Sequence, residues 1–352
     1  MTGLLIDIDL PGRGVRIELA VPAGQTCALI GPNGAGKSSV LEAVIGVLPP
    51  ASGRIELAGR ALDAPGVRVP VHRRRIGWLA QRPLLFEHMD VAANVAFGSQ
   101  GHGRGRAAAR RRAASELERV GAAELADRLP WQLSGGQAQR VAIARALASD
   151  PGALLLDEPL ATIDVQGAAE IRQVLAERLQ QAGRPALLVT HDLVDLWRLA
   201  DRVVVLERGR VVADGAVADV LRRPRHQFLA SLGGRNLLAG RAVDAEALRA
   251  GDLVVQGLAA APLRVGTATL GLIDPAAIAV HLRHPEGSPR NVWPAVVRVV
   301  ERRGDGVRLG CLAGGQTLAV DLTLAAVAEL GLVPGLEVFL SVKASQVQLY
   351  PR

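Results

Sequence analysis

Gly31-Pro-Asn-Gly-Ala-Gly-Lys-Ser-Ser39 is a glycine-rich turn ending in Lys-Ser, the arrangement that cradles the phosphates of a nucleoside triphosphate. The apolar run Thr26-Cys-Ala-Leu-Ile30 before it predicts a buried strand, and residues 38–47 after it predict a helix, so the flanks that the motif needs are present. Gly31, Gly34 and Gly36 let the backbone aim several N–H groups at one anion, and the helix start adds the positive end of its dipole. Lys37 then reaches the β- and γ-phosphates as a mobile charge, Ser38 offers a hydroxyl to Mg²⁺, and Pro32, Asn33, Ala35 and Ser39 complete the cradle. The alternative is a chance glycine turn with a solvated lysine.

A second motif argues against chance. Ala153-Leu-Leu-Leu-Asp-Glu158, bounded by Asp150-Pro151-Gly152 and Pro159, is too short for a helix and predicts a buried strand with two carboxylates at its end. In an open parallel sheet ligands bind beyond the carboxyl ends of the strands, which places Asp157 and Glu158 beside the phosphate loop. Asp157 suits the magnesium shell, and Glu158 suits activation of an attacking water. An acidic cap on the following helix is the other use of such a pair.

Between the two lies Leu133-Ser-Gly-Gly-Gln137, where Ser134 is a predicted N-cap for a helix running to about Ser149. With these motifs in this order the chain resembles the ATP-binding subunits of ABC transporters. The resemblance implies that Ser134, Gly135, Gly136 and Gln137 bind the γ-phosphate of a nucleotide held by a second subunit, so that two copies meet head to tail. It implies that Gln81 touches magnesium and the attacking water and senses the membrane subunits. It further implies that Asp164, in Ala161-Thr-Ile-Asp164, crosses the dimer seam, and that His191, closing Ala186-Leu-Leu-Val-Thr-His191, contacts the γ-phosphate. Taken alone, Ser-Gly-Gly is also a helix cap and a histidine at a strand end is also a packing residue.

Two features depart from the family's pattern. Residues 1–30 contain no Phe, Trp or Tyr, where most members carry an aromatic that stacks on adenine, although ATP remains the expected nucleotide. The seam loop reads Ala-Thr-Ile-Asp in place of the commoner Ser-Ala-Leu-Asp, which keeps the acid.

At 352 residues, with 49% hydrophobic and 21% charged residues, the chain is long enough for two globular domains. No apolar stretch reaches the ~18 residues that span a bilayer, and the N-terminus lacks a signal-peptide pattern, so a cytoplasmic protein is expected. Cys27 and Cys311 fit neither a metal site nor a disulfide framework and are expected as reduced packing residues. The net charge of +7 gathers in Arg73-Arg74-Arg75 and in residues 104–112. Without interleaved aromatics these runs predict a solvated face, not a nucleic-acid partner.

The expected fold is α/β: a phosphate-loop ATPase domain over residues 1–235, with a helical subdomain at about 82–135, followed by a small all-β barrel over residues 236–352. Within the first, residues 202–206 and 210–213 predict a hairpin. Residues 84–98 resemble the importer segment that grips a coupling helix of the membrane subunit, and also fit a packed helix. In the second domain, runs at 293–301, 306–311 and 316–322 alternate as barrel strands do. This region resembles the oligonucleotide-fold domain appended to importer ATPases. Ser288-Pro-Arg-Asn291 and Lys343-Ala-Ser345 resemble the elements of a molybdate-binding module, making Ser288, Arg290, Asn291, Lys343 and Ser345 a candidate oxyanion site. They also fit a turn and an edge strand.

Taken together, the resemblance implies an ATP- and Mg²⁺-dependent homodimer energising molybdate or tungstate import. Such a dimer sits peripherally on the cytoplasmic face of the cell membrane, beneath two permease subunits fed by an extracytoplasmic solute-binding protein. The same build serves sulfate, ferric iron, polyamines and sugars. Soluble ABC ATPases usually carry a long coiled coil or two fused halves, and neither a sustained heptad pattern nor a repeat occurs here.

Overall fold

The computed structural model describes residues 3–101 and 105–352, so Arg104 of the second arginine run lies outside the described residues. The chain divides into two compact units, Met1–Val220 and Leu221–Arg352.

In the first unit β1 (Leu4–Leu10) and β2 (Val15–Val21) form a hairpin that alternates buried and exposed residues. β3 (Thr26–Ile30) is buried at every position and runs into the phosphate loop and α1 (Lys37–Ile45). Gly46, with φ 97°, ends α1 by returning its N–H to Glu42 and Ala43. β4 (Ser52–Leu57), β5 (Arg60–Ala64) and β6 (Val67–Arg68) extend the hairpin into an antiparallel sheet of order β2-β1-β4-β5-β6.

After β7 (Ile76–Leu79) the chain becomes helical, with α2 (Val91–Gly101), α3 (Arg106–Arg119) and α4 (Gly135–Ala148), then returns through β8 (Ala153–Asp157). α5 (Val165–Ala182), β9 (Ala186–Val189), α6 (Leu193–Leu199), β10 (Arg202–Glu207) and β11 (Arg210–Ala216) complete a second sheet of order β11-β10-β3-β9-β8-β7. Its central strands are parallel, and only the predicted β10–β11 hairpin is antiparallel. One core lies beneath α1 and the hairpin sheet, a second among α2 to α5.

The arginine run at 73–75 is not the uniform solvated face that its charge suggests. Arg74 is 1% exposed. Its guanidinium donates to the Ala43 and Val44 carbonyls at the end of α1, to Val69 O and to Asp63 Oδ2 at 2.8 Å. A cation at a helix C-terminus meets the negative end of the dipole, and the carboxylate balances its charge.

The short α7 (Val217–Arg222) carries the division between units, and α8 (Gln227–Leu232) packs on the second unit. Ala230 joins Leu237, Leu270, Leu272 and Tyr350 in one cluster, and Tyr350 Oη donates to Pro224 O. Composition changes where the strands begin, at 236, whereas packing changes earlier because α8 lies against β12.

That unit holds two sheets around a shared core. β12 (Asn236–Asp244), β13 (Ala247–Ala250), β14 (Leu253–Gln256), β15 (Leu258–Ala259) and β16 (Ala268–Ile273) belong to the first, with the final strand β22 (Val347–Pro351). β17 (Ala279–His281), β18 (Asn291–Arg303), β19 (Gly306–Ala313), β20 (Gln316–Thr323) and β21 (Glu337–Val342) form the second, with α9 (Leu324–Glu329) inserted. All pairings are antiparallel except β15 with β22, and the arrangement is barrel-like.

Buried side chains pin the two sheets together. Asn236 exchanges both amide bonds with the Ala319 peptide, Asn291 does the same with Gln256, and Trp293 Nε1 donates to Val254 O. Cys27 and Cys311 are both buried free thiols. Burial pushes them up to about 12 and about 11, which suits packing and not reactivity.

Candidate functional site

The parallel strands β3, β9, β8 and β7 are neighbours in the sheet, so the segments that leave their carboxyl ends meet at one edge. β3 delivers the phosphate loop, β8 delivers Asp157 and Glu158, β9 delivers His191, and β7 delivers Gln81.

In the loop two glycines are required by close approach. A Cβ on Gly31 would fall 2.0 Å from Leu206 O, and one on Gly36 would fall 2.3 Å from Val15 Cγ2. Asn33, Gly34 and Ser38 are exposed, Pro32 and Ser39 are half-buried, and Ala35 is buried with its N–H on Pro32 O. Lys37 Nζ folds over the loop and donates to Gly31 O at 2.8 Å and Pro32 O at 2.9 Å. Burial lowers the lysine's pKa while Glu158 and Asp157 pull it back up, so these three charges share one electrostatic environment. Asp157 is pushed up to about 6, first by burial and then by the neighbouring Glu158.

Glu158 is held from two sides. Gln81 Nε2 donates to its Oε2 at 3.0 Å, and His191 Nδ1 lies 3.1 Å from its Oε1. Its backbone N–H bonds Val189 O, and its φ of 48° places it in the left-handed region, a strained conformation of the kind that gathers at functional sites. Next to it a cavity of about 330 Å³ is lined by Glu158, Leu160, Ile163, Val165, His191 and Asp192.

Two supports were not legible as motifs. Thr190 Oγ1 accepts the Asp192 N–H and donates to buried Asp195, which also takes Arg172, so the backbone around His191 is braced on both flanks. On the far side of Gln81, Arg145 of α4 donates to the Pro83 and Leu84 carbonyls and lies over the Phe86 ring, fixing the segment that follows the glutamine. Only an arginine's position within α4, which is largely buried from Gln139 onward, could have hinted at it.

Ser134, Gly135, Gly136 and Gln137 sit at the start of α4 with Ser134 and Gly135 exposed. Ser134 Oγ accepts the Gln137 N–H and Gln137 Oε1 accepts the Ser134 N–H, a reciprocal capping box. Gly136 lies against Thr162, and Gln139 donates to Pro159 O, tying this helix end to the loop that carries Asp164. Asp164 caps α5 through Gly167, whose N–H holds the carboxyl below its usual range.

In the second unit the candidate oxyanion residues separate. Asn291 is 1% exposed, its Oδ1 accepts the Gln256 N–H at 2.7 Å, and its Nδ2 donates to Gln256 O and Val342 O. The pairing of Asn291 with Val342 puts Arg290 beside Lys343 just past the ladder. Arg290, Lys343, Ser288 and Ser345 are exposed, and Arg290 lines a cavity of about 690 Å³ with Asp244, Glu246, Gln256 and Ala344.

Against known proteins, the family described as ABC transporter matches residues 15–161 and the TOBE domain matches residues 287–349. The chain is 44% identical to the molybdenum import ATP-binding protein ModC of Mycobacterium tuberculosis, over 100% of this chain and 98% of the relative. It is 36% identical to the molybdate/tungstate import ATP-binding protein WtpC of Pyrococcus horikoshii, over 96% and 95%. A spermidine/putrescine import ATP-binding protein of Frankia alni matches at 37% over 85% of this chain and 68% of its own length. Among solved structures, a Clostridium perfringens component of an ABC transporter complex has a TM-score of 0.55 and 31% identity over 63% of this chain and 91% of its own. A dimeric bacterial ABC transporter cassette has a TM-score of 0.53 and 29% identity over 58% and 90%. A phosphate loop, an acidic strand end and a capped Ser-Gly-Gly helix on one ATP-binding unit, with whole-length identity behind them, place this chain in the ABC transporter ATPase family, with a TOBE domain following its ATP-binding domain.

Proposed function

We propose that this chain is the ATP-hydrolysing subunit of a molybdate importer, with tungstate as a second cargo. It works as a homodimer beneath two permease subunits fed by an extracytoplasmic solute-binding protein, at the cytoplasmic face of the membrane. The observation that carries the reading is the 44% identity to a molybdenum import ATP-binding protein, which runs the full length and so includes the C-terminal unit. Sulfate and ferric-iron relatives match over less of the chain, 72% and 84%.

In this reading Lys37 swings from the Gly31 and Pro32 carbonyls to the β- and γ-phosphates, and the loop N–H groups take the remaining oxygens. Ser38, Asp157 and Gln81 are hard oxygen donors suited to Mg²⁺, and a crowded carboxylate raised to about 6 is one that a dication relieves. When bound, Mg²⁺ neutralises charge on the β- and γ-phosphates. Glu158 orients the attacking water, with Gln81 and His191 fixing its two oxygens. Ser134 and its glycines present helix N–H groups to the nucleotide of the other copy, and Asp164 crosses the seam beside them.

Exposed Leu84 and Phe97, with Phe86 pinned under Arg145, give the Gln81 segment an apolar surface for a permease helix. The test is uptake into proteoliposomes carrying the chain with its permeases and supplied with binding protein. ATP-dependent molybdate accumulation that excess sulfate does not suppress is expected. Equal uptake of sulfate would remove the cargo assignment.

A further inference from the structure

No aromatic side chain is available in the first thirty residues to stack on the base of a nucleotide held by the phosphate loop. The turn between β1 and β2 is Pro11–Arg13, and the side chain that closes on the phosphate loop from this hairpin is Val15. Elsewhere an indole stands in the open. Trp131 is 68% exposed, three residues before Ser134, on the short turn Pro130–Gln132. A singly exposed apolar residue is ordinary, so position and rigidity are what distinguish it.

Its backbone is fixed on both sides. Gln132 Oε1 accepts the Leu129 N–H at 2.7 Å, the Gln132 N–H returns to Leu129 O at 2.9 Å, and the Leu133 N–H bonds Pro130 O. The capping box of Ser134 and Gln137 follows at once. The turn and the helix start therefore act as one piece, and only the indole torsions remain adjustable. Three residues reach at most ~10 Å, so whatever the Ser134 cap touches fixes where Trp131 lies to within the length of a nucleotide.

We propose that Trp131 is a base-binding residue acting in trans, stacking on the adenine of the nucleotide held by the other copy. This rests on the sandwich reading above. The cap takes the γ-phosphate of the partner's ATP, the chain runs back from it along the nucleotide, and the indole supplies the π-face that the hairpin of the holding copy lacks. Stacking tolerates any base, so the device gives affinity without strict base choice. It also makes affinity for the base a property of the closed pair and not of the single copy.

The test uses the full chain in a Glu158→Gln background, following pairing by light scattering as MgATP is raised. Trp131→Ala should raise the ATP concentration for half-maximal pairing roughly 5- to 150-fold, the size of one base–aromatic stack. Binding of ATP to the single copy, measured at protein concentrations too low for pairing, should stay unchanged, and Trp131→Phe should restore most of the loss. If Trp131→Ala pairs at the parental ATP concentration, or weakens single-copy binding equally, the trans stack is refuted. If the Glu158→Gln parent never pairs in MgATP, the sandwich reading itself falls, a result that cannot be confused with the first.

Discussion

Gln81 and Asn291 are both carboxamides at the end of a strand, and the two units of the molecule use them in opposite ways. Gln81 follows a parallel strand and turns its amide to another side chain, Glu158. Asn291 opens an antiparallel strand and turns its amide wholly to backbone, two bonds to Gln256 and one to Val342. A parallel sheet satisfies its own ladder and leaves the loops beyond its strand ends free to carry chemistry. Two curled sheets that close on one core must instead be joined across a gap, and buried amides do the joining. The same residue type thus reads as chemistry in one architecture and as construction in the other.

The largest expected effect lies on the chemical side of that contrast. Glu158→Gln should lower kcat for ATP hydrolysis by ~10²- to 10⁴-fold, the usual loss of a positioned base, while nucleotide binding persists. Steady-state phosphate release beside equilibrium ATP binding measures both. Hydrolysis at the parental rate would mean that the Gln81–Glu158–His191 cluster is construction too.

Next comes a charge in the first unit that serves construction alone. Arg74→Ala removes the cation between Asp63 and the last carbonyls of α1, leaving a mostly buried carboxylate without its partner. The cost should be about 3–5 kcal/mol in denaturant unfolding of that unit. Arg74→Lys should recover little, because one ammonium cannot span four acceptors set around a planar fork.

Arg74 also shows where reading stops. Its neighbours Arg73 and Arg75 are exposed, and nothing in three consecutive arginines says which one turns inward. The decision is made by Asp63 and the end of α1, distant in sequence and adjacent only after folding. The phosphate loop, Asp157, Glu158 and the Ser134 cap were legible because each needs particular residue types at fixed spacing on a local strand or helix. Gln81 and His191 were legible only through the family resemblance, since a lone amide and a lone imidazole carry no pattern of their own. Thr190, Asp195 and Arg145 had none at all. Asn291 was singled out only through the resemblance to a molybdate-binding element, and whether it faces solvent or a second sheet depends on a pairing that spacing does not encode.

The second unit sharpens the comparison with a smaller effect. Asn291→Ala should cost about 1–3 kcal/mol, because it removes the buried amide that the Gln256 peptide and the Val342 carbonyl bond to, and amide exchange at Gln256 should speed up accordingly. If Arg290 and Lys343 hold an oxyanion, as the resemblance implies, Lys343→Ala and Arg290→Ala should leave exchange unchanged and weaken molybdate binding to the full chain, measured by calorimetry, by about tenfold or more, whereas no binding by the parent would leave these residues as a turn and an edge strand. The opposite split, with Asn291→Ala abolishing molybdate binding at unchanged exchange, would make this amide a ligand and erase the contrast with Gln81.

The smallest effect is a pH dependence confined to the second unit. Asp321 of β20 faces Arg308 of β19 across the ladder in a two-pronged pair, with N···O distances of 2.6 Å on both prongs. The Arg308 guanidinium holds the Asp321 carboxyl below its usual range. A carboxyl whose folded value is depressed binds its proton more weakly in the folded state than in the unfolded one. Its contribution to stability is therefore complete above the unfolded value of about 3.9, and is lost as pH falls through the folded value. Asp321 is about one-third exposed, so solvent screening limits the effect to well under ~1 kcal/mol. Amide exchange across β19 and β20 should accelerate slightly more steeply with acidification below about pH 5 in the parent than in Arg308→Gln, which lacks the shift. Equal slopes would mean that the pair holds no net free energy, and that in this unit the buried amides, not surface charge, fix the strands in register.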